Sequence, residues 1–225
     1  MTPYEILLKQ RRLAERRARG RRRLPWPVSI TLLAAVLLLG GLLTWRSHST
    51  SAPPFVPQHP RSAWAAPNAD IGAMAPMTQI TRITIHHEGS EPVDFVDAAR
   101  TAKRIETIRR YHRTQRGWAD IGYHYIIDRG GAVWEARDLD KRGAHAGSPE
   151  TNAGNLGVMI LGNYDRQELT EQQVERLEEL LDGWLTAYHL GIDAVHLHSD
   201  FKQTDCPGEA IRRWFARWRE RKLGT

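Results

Sequence analysis

Leu156-Gly157-Val158-Met159-Ile160-Leu161 is a run of six residues with no polar side chain. Its length fits a strand buried on both faces, and such a strand needs a layer of structure on each side of its sheet. The surrounding sequence supplies those layers. Ile83 and Ile85 alternate along residues 82–86, the period of a strand. Phe95, Ala98, Ala99, Ala102, Ile105 and Ile108 recur at helical spacing, which predicts a helix over about 93–113. Residues 121–127 and 132–135 flank Arg129-Gly130-Gly131 and read as a hairpin, and 138–155 as a Gly- and Asn-rich loop. Thr170 and Gln173 form a capping-box pattern. It opens a helix with Val174, Leu177, Leu180, Leu181, Trp184, Leu185 and Tyr188 on one face, ending near Gly191. A last helix follows Pro207, with Ile211, Trp214, Phe215 and Trp218 inward and arginines outward. Strands interleaved with helices, one hairpin among them, predict an α/β domain over 80–225 with a mixed central β-sheet covered by helices.

The part before residue 80 has a different character. From Leu24 to Trp45 there is no charged residue, and roughly 20 apolar residues suffice to span a bilayer as a helix. Trp26 and Trp45 stand near its ends, where interfacial tryptophans are favoured. This predicts a single transmembrane helix over 24–45. The basic tail over 1–23 keeps the N-terminus cytoplasmic, which puts the C-terminal domain on the periplasmic or extracytoplasmic side of the inner membrane. A signal peptide cleaved within Ser47 to Ala52 is the competing reading. Residues 46–79 carry Pro53, Pro54, Pro57, Pro60, Pro67 and Pro76 among Ser and Ala and read as a flexible linker.

The formal charge of +6 does not indicate a nucleic-acid partner. Lys9 and eight arginines against Glu5 and Glu15 put +7 on the tail, so the remainder carries −1. A near-neutral domain lacks the cations that neutralise phosphates. A single cysteine allows no internal disulfide, and nothing in the sequence fixes an oligomeric state.

That cysteine lies in His198-Ser199-Asp200-Phe201-Lys202-Gln203-Thr204-Asp205-Cys206-Pro207-Gly208. Cys206 would sit at a helix N-terminus, where the dipole favours thiolate. His86 ends the first strand, a rigid mount. Two imidazoles and a thiolate match the ligand count of a catalytic zinc site with an open fourth position. By spacing alone, Cys206 could equally be a small buried hydrophobe and His86 a partly buried strand-end residue.

Five blocks widen the pattern: 85–87 (Ile-His-His), 118–127 (Trp-Ala-Asp-Ile-Gly-Tyr-His-Tyr-Ile-Ile), 143–147 (Gly-Ala-His-Ala-Gly), 156–164 and 198–208. In order and spacing they resemble the type 2 N-acetylmuramoyl-L-alanine amidases, the family of phage-type amidase lysozymes and animal peptidoglycan recognition proteins. The resemblance covers about residues 80–215. It implies a zinc ion (Zn2+) held by His86, His198 and Cys206, catalytic roles for Tyr123 and Thr204, and a substrate groove bordered by His145; Trp118, close in sequence to Tyr123, is a candidate substrate-stacking residue on its position alone. The implied activity is hydrolysis of the amide between N-acetylmuramic acid and L-alanine of peptidoglycan. The alternatives are a tethered peptidoglycan-binding module without catalysis, and a zinc peptidase acting on another amide. Non-catalytic relatives typically lack the cysteine, so Cys206 favours an enzyme.

Two positions depart from the family pattern. Glu88 stands where a small hydroxyl residue is common and reads as a surface carboxylate. Met159 stands where one branch of the family carries a glutamate base, which points to the tyrosine-using branch. The remaining histidines read as structural. His87 and His124 point away from His86 and Tyr123, His196 shares a face with His198, and His112 and His189 favour helix C-terminal ends as imidazolium. His48 and His59 fall in the linker. Trp134, Trp184, Trp214 and Trp218 read as core.

Overall fold

The computed structural model describes residues 55–66 and 73–224. The basic tail and the uncharged run over 24–45 lie outside them. Among the described residues no helix is long and apolar enough to cross a membrane.

The domain is a five-stranded mixed sheet. The strands are β1 (Arg82–His87), β2 (Tyr125–Ile127), β3 (Val133–Glu135), β4 (Asn155–Ile160) and β5 (Val195–Leu197), in the order β3-β2-β4-β1-β5. β4 runs parallel to both β1 and β2, β5 is parallel to β1, and β2–β3 is the antiparallel hairpin. The all-apolar run is therefore the central strand, buried at every residue. In the hairpin turn, the Asp128 carboxylate accepts from the Gly130 and Ala132 amides at 2.9 Å each, and Gly131 takes φ of 80°.

The helices are α1 (Ala98–Gln115), α2 (Pro149–Asn152), α3 (Glu171–Ala187) and α4 (Glu209–Leu223). α1 starts later than its periodicity predicts. Asp97 caps it by accepting from the Arg100 amide at 2.8 Å, and the Val93 amide goes instead to the Gln167 side chain. The predicted capping box at Thr170 and Gln173 forms in both directions. α2, one turn capped by Ser148, was not visible in the Gly- and Asn-rich loop. The ladder of β2 is shorter than the predicted 121–127, and at the lost end Gly122 gives its amide to the His112 ring.

Two cores lie on opposite faces of the sheet. One joins Ile83, Ile85, Leu156, Val158 and Ile160 to Leu177, Leu181 and Trp184 of α3 and Ile211, Trp214 and Trp218 of α4. The other joins Ile126, Trp134 and Met159 to Ile105 of α1 and to Val93 and Ile121.

The linker expected over 46–79 is not a free tether throughout. Phe55 packs on Tyr125 and Trp184, with ring centroids 5.1 and 5.7 Å away. His59 stacks on Trp134 at 3.8 Å and pairs with the edge strand β3, donating to Val133 O and accepting from the Glu135 amide. Arg61 pairs with Asp120, and Trp64 donates to Glu135 O at 2.7 Å. Farther on, the Met77 amide donates to Asp140 O. Proline-rich chain favours extended backbone, and an unpaired sheet edge is a template for such backbone. Burial of Phe55, Trp64, Met74 and Met77 then outweighs the composition.

Candidate active site

Register brings the two distant histidines together. β1 pairs with β5 so that Ile85 lies opposite Leu197, and the next residues are His86 and His198. Alternation along β1 sends Ile83 and Ile85 to the α3–α4 face and His86 to the α1 face. His86 is fully buried, and its ring lies 4.6 Å from that of His198, which opens the short 3-10 turn His198–Asp200. The chain returns with Cys206, whose Sγ is 3.7 Å from His86 Nδ1 and accepts from the His87 amide at 3.4 Å. The ligand atoms of His86, His198 and Cys206 all lie within 4.8 Å of one another. Around a tetrahedral zinc with bonds of about 2.0–2.3 Å, ligand atoms stand roughly 3.3–3.6 Å apart, so these residues fit the ion with small adjustment. The donor chemistry, two imidazole nitrogens and one sulfur, fits as well.

The loop carrying Cys206 is fastened by Arg212. One of its nitrogens donates to the carbonyls of Thr204, Asp205 and Cys206 at 3.1 Å each, and another to Ser199 Oγ at 2.6 Å. The arginines of α4 read from sequence as an outward face. Arg212, in the first turn after Cys206-Pro207-Gly208, turns back toward the loop instead. Thr204 also supports the loop, accepting from the Cys206 amide at 3.2 Å.

Burial sets the charge states. Desolvation, with neighbouring imidazoles, depresses His86 well below the usual histidine value, and desolvation with Lys202 brings His198 down to about 4. Both rings are neutral near pH 7 and can offer lone pairs. Burial raises the Cys206 thiol to about 12. The expected thiolate at a helix N-terminus does not arise from the helix, since α4 begins only at Glu209. A bound metal would displace that proton outright.

Tyr123 stands beside His86, with ring centroids 5.1 Å apart. Burial and the nearby thiol raise its phenol, which remains a hydroxyl donor. It borders a groove of about 540 Å³ with Trp118, Arg116, Arg142, His198 and Lys202. Trp118 packs on His112 at 4.6 Å. His145 also touches this groove but is deeper than a rim residue. It is 5% exposed, its Nδ1 is 3.0 Å from His86 Nε2, and its Nε2 is hydrogen-bonded to Asn155 O at 3.1 Å.

Several sequence expectations shift. His112 is not a solvated imidazolium at a helix end. It is buried beside Tyr123 and Trp118, accepts from the Gly122 amide, and is lowered to about 4 by desolvation and by Arg116 and Arg137. Its place was legible in the stripe Thr101, Ile105, Arg109, His112 at helical spacing. Glu88 is not a surface carboxylate either. Two residues on from His86, it lies on the same face, almost wholly buried, paired with Arg104 and raised by desolvation. It lines a second cavity of about 300 Å³ that shares Tyr123, His112 and Arg116 with the groove. His87 does point away and accepts from the Tyr164 amide, and His124 is fully buried between Gly157 N and Lys141 O. His196 pairs with Asp200 at 3.6 Å, and His189 is exposed with φ of 55°. Trp134, Trp184, Trp214 and Trp218 are core.

A family model described as N-acetylmuramoyl-L-alanine amidase matches residues 76–209. The chain is 29% identical to peptidoglycan-recognition protein SD of Drosophila simulans over 72% of this chain and 86% of that one. It is 31% identical to human N-acetylmuramoyl-L-alanine amidase over 68% of this chain, which spans 27% of the human protein. Among solved structures, Drosophila peptidoglycan recognition protein SD superposes with a TM-score of 0.59 at 28% identity, covering 67% of this chain and 88% of that one. The amidase LysC of Clostridium intestinale superposes with a TM-score of 0.53 at 26% identity, covering 72% and 93%.

Proposed function

Because the chain belongs to the N-acetylmuramoyl-L-alanine amidase family, we propose that it hydrolyses the amide between N-acetylmuramic acid and L-alanine of peptidoglycan in a zinc-dependent reaction. The observation that carries this reading is the convergence of His86, His198 and Cys206, with His198 lining a groove bordered by Tyr123. A zinc ion held there would supply a Lewis acid for the scissile carbonyl and lower the pKa of a water toward neutrality.

The residues of the chain do the rest. Tyr123 keeps its proton, so its hydroxyl can donate to the oxygen that gains charge as the carbonyl is attacked. Thr204 accepts from the Cys206 amide with its hydroxyl oxygen, so its hydroxyl hydrogen remains available to donate to substrate. Trp118 offers an apolar wall and Arg116, Arg142 and Lys202 a cationic rim, which suits a stem peptide ending in carboxylates. Met159, fully buried in the core, supplies no base.

A second reading, a peptidoglycan-binding module without catalysis, is favoured by the relatives named as recognition proteins. One assay separates the two. Purified peptidoglycan is digested and new L-alanine amino termini are counted, with and without a chelator. Release that stops on metal removal and returns with zinc supports the hydrolase; binding without release supports the module. We further propose that the uncharged run over 24–45 anchors the chain, with the domain outside the cytoplasm where its substrate lies. Protease accessibility of the domain in spheroplasts tests this, and full protection would sink it.

A further inference from the structure

His145 reaches the ring nitrogen of His86 opposite the one nearest Cys206. We propose that His145 is a positioning residue for His86, fixing its tautomer and ring orientation so that Nδ1 presents a lone pair to the metal position. The inference rests on the zinc reading of His86, His198 and Cys206.

The proton accounting starts at a backbone atom. Asn155 O can only accept, so His145 Nε2, 3.1 Å away, carries a hydrogen. A neutral imidazole has one N–H, so His145 Nδ1 is an acceptor. Its partner at 3.0 Å is His86 Nε2, which must then be the donor. That leaves His86 Nδ1 without a proton, and this is the nitrogen 3.7 Å from Cys206 Sγ. The opposite tautomer of His86 would set two lone pairs facing each other in a buried site, where an unmade hydrogen bond is costly.

The backbone reserves the space for this ring. A Cβ on Gly143 would lie 2.5 Å from His145 Cδ2, and one on Gly157 2.6 Å from the same atom. Neither glycine has a left-handed φ, so ordinary backbone would accept a side chain at both. What excludes it is the imidazole. The acceptor at the end of the relay is fixed as well. Asn155 belongs to β4, and its side chain accepts from Thr84 Oγ1 of β1 at 2.8 Å. The His145 amide donates to Asn152 Oδ1 at 2.8 Å, which holds the loop. Outer partners of this kind commonly change metal affinity by roughly ten- to a hundred-fold when removed.

The test uses the purified chain, stripped of metal and titrated with zinc against a chromophoric chelator, together with nitrogen NMR of its histidine tautomers. The wild-type apo protein is expected to hold His86 as the Nε2–H form and to bind one zinc. His145→Phe fills the slot without an acceptor and should lower zinc affinity by roughly ten- to a hundred-fold and mix the His86 tautomers. His145→Gln keeps a donor and an acceptor and should recover most of the loss. Gly157→Ala changes no polar group, yet should weaken zinc by crowding the ring. If His145→Phe does not fold, the wild-type tautomer still decides, since His86 carrying Nδ1–H overturns the proposal. Wild-type affinity in His145→Phe also overturns it while leaving the zinc site standing. A wild-type chain that binds no zinc removes the underlying reading instead.

Discussion

On the face covered by α3 and α4, the sheet contributes Ile83, Ile85, Leu156, Val158 and Ile160, all fully buried against Leu177, Leu181, Trp184 and Trp218. On the α1 face the same strands contribute Thr84 and His86, and the loops beside them add His124 and His145. Apolar packing is non-directional and rewards area, so the first face needs only complementary volume. Each buried polar group on the second needs its own partner, and the structure supplies Asn155 Oδ1 for Thr84, His145 for His86 and Lys141 O for His124. α1 leaves part of this face uncovered, and that opening is the groove at Tyr123. One face thus holds the fold while the other holds a reactive arrangement.

The sharpest way to break this division is to strike each face once. Cys206→Ser should abolish amide cleavage, a loss of a thousand-fold or more. The apo domain should melt close to wild type and keep wall binding. An active serine variant would remove Cys206 from the ligand set. Trp184→Ala on the other face should do the reverse. Deleting a fully buried indole costs about 3–5 kcal/mol, read as a lower denaturation midpoint. Zinc affinity of the fraction still folded should not change. If Trp184→Ala spared stability while Cys206→Ser collapsed it, the assignment of roles would be inverted.

Titration gives the α1 side an acid limb through its buried histidines, while raised groups on both sides, Tyr123 and Cys206 among them, give an alkaline one. His112 and His124, both on the α1 side, are held at about 4, first by desolvation. Unfolded they titrate near 6.5, so between about 4 and 6.5 the unfolded chain binds more protons and stability rises with pH. Their neutral burial is fully tolerated above 6.5 and costs about 3 kcal/mol for each ring once pH has fallen to 4. Tyr125 and Tyr164, in the core against α3 and α4, move the other way. Desolvation raises Tyr125 and brings Tyr164 to about 12. The unfolded phenols ionise first, so this core loses stability above about pH 10. Denaturant midpoints across pH should show both limbs. His124→Asn should make the acid limb shallower and leave the alkaline one; an unchanged acid limb would assign it to the other buried histidines, His112 among them.

Much of the apolar face was legible in the sequence, because periodicity reports burial directly. The stripe of α3 and the alternation of Ile83 and Ile85 gave their neighbours without a structure. The metal trio was legible through family likeness rather than spacing, since what joins His86 to His198 is the pairing of β1 with β5, a long-range register no local pattern encodes. The depth of His145 and the burial of Glu88 were hidden for the same reason. A histidine in a Gly-rich loop carries no mark of the carbonyl it will meet, and Glu88 reads as polar until Arg104 arrives from α1. The strap at residues 55–66 was hidden by its prolines, because composition reports disorder propensity and cannot foresee a vacant strand edge.

Arg212 offers the mildest test, because it belongs to neither face. It grows from α4, whose apolar stripe serves the fold, and spends its guanidinium on the loop that serves the site. Its partners are backbone carbonyls of a half-exposed loop, so water can replace part of what Arg212→Ala removes. The expected cost is about 1–2 kcal/mol in stability, with zinc affinity falling several-fold as Cys206 gains freedom. Arg212→Lys keeps the charge but cannot span three carbonyls and Ser199 at once, and should fall nearer to alanine than to wild type. Chelator competition and melting on the same samples distinguish the causes. Loss of stability with unchanged zinc affinity would make Arg212 a helix fastener only. Full rescue by lysine would mean that charge near Cys206, rather than the fork of hydrogen bonds, is what the loop requires.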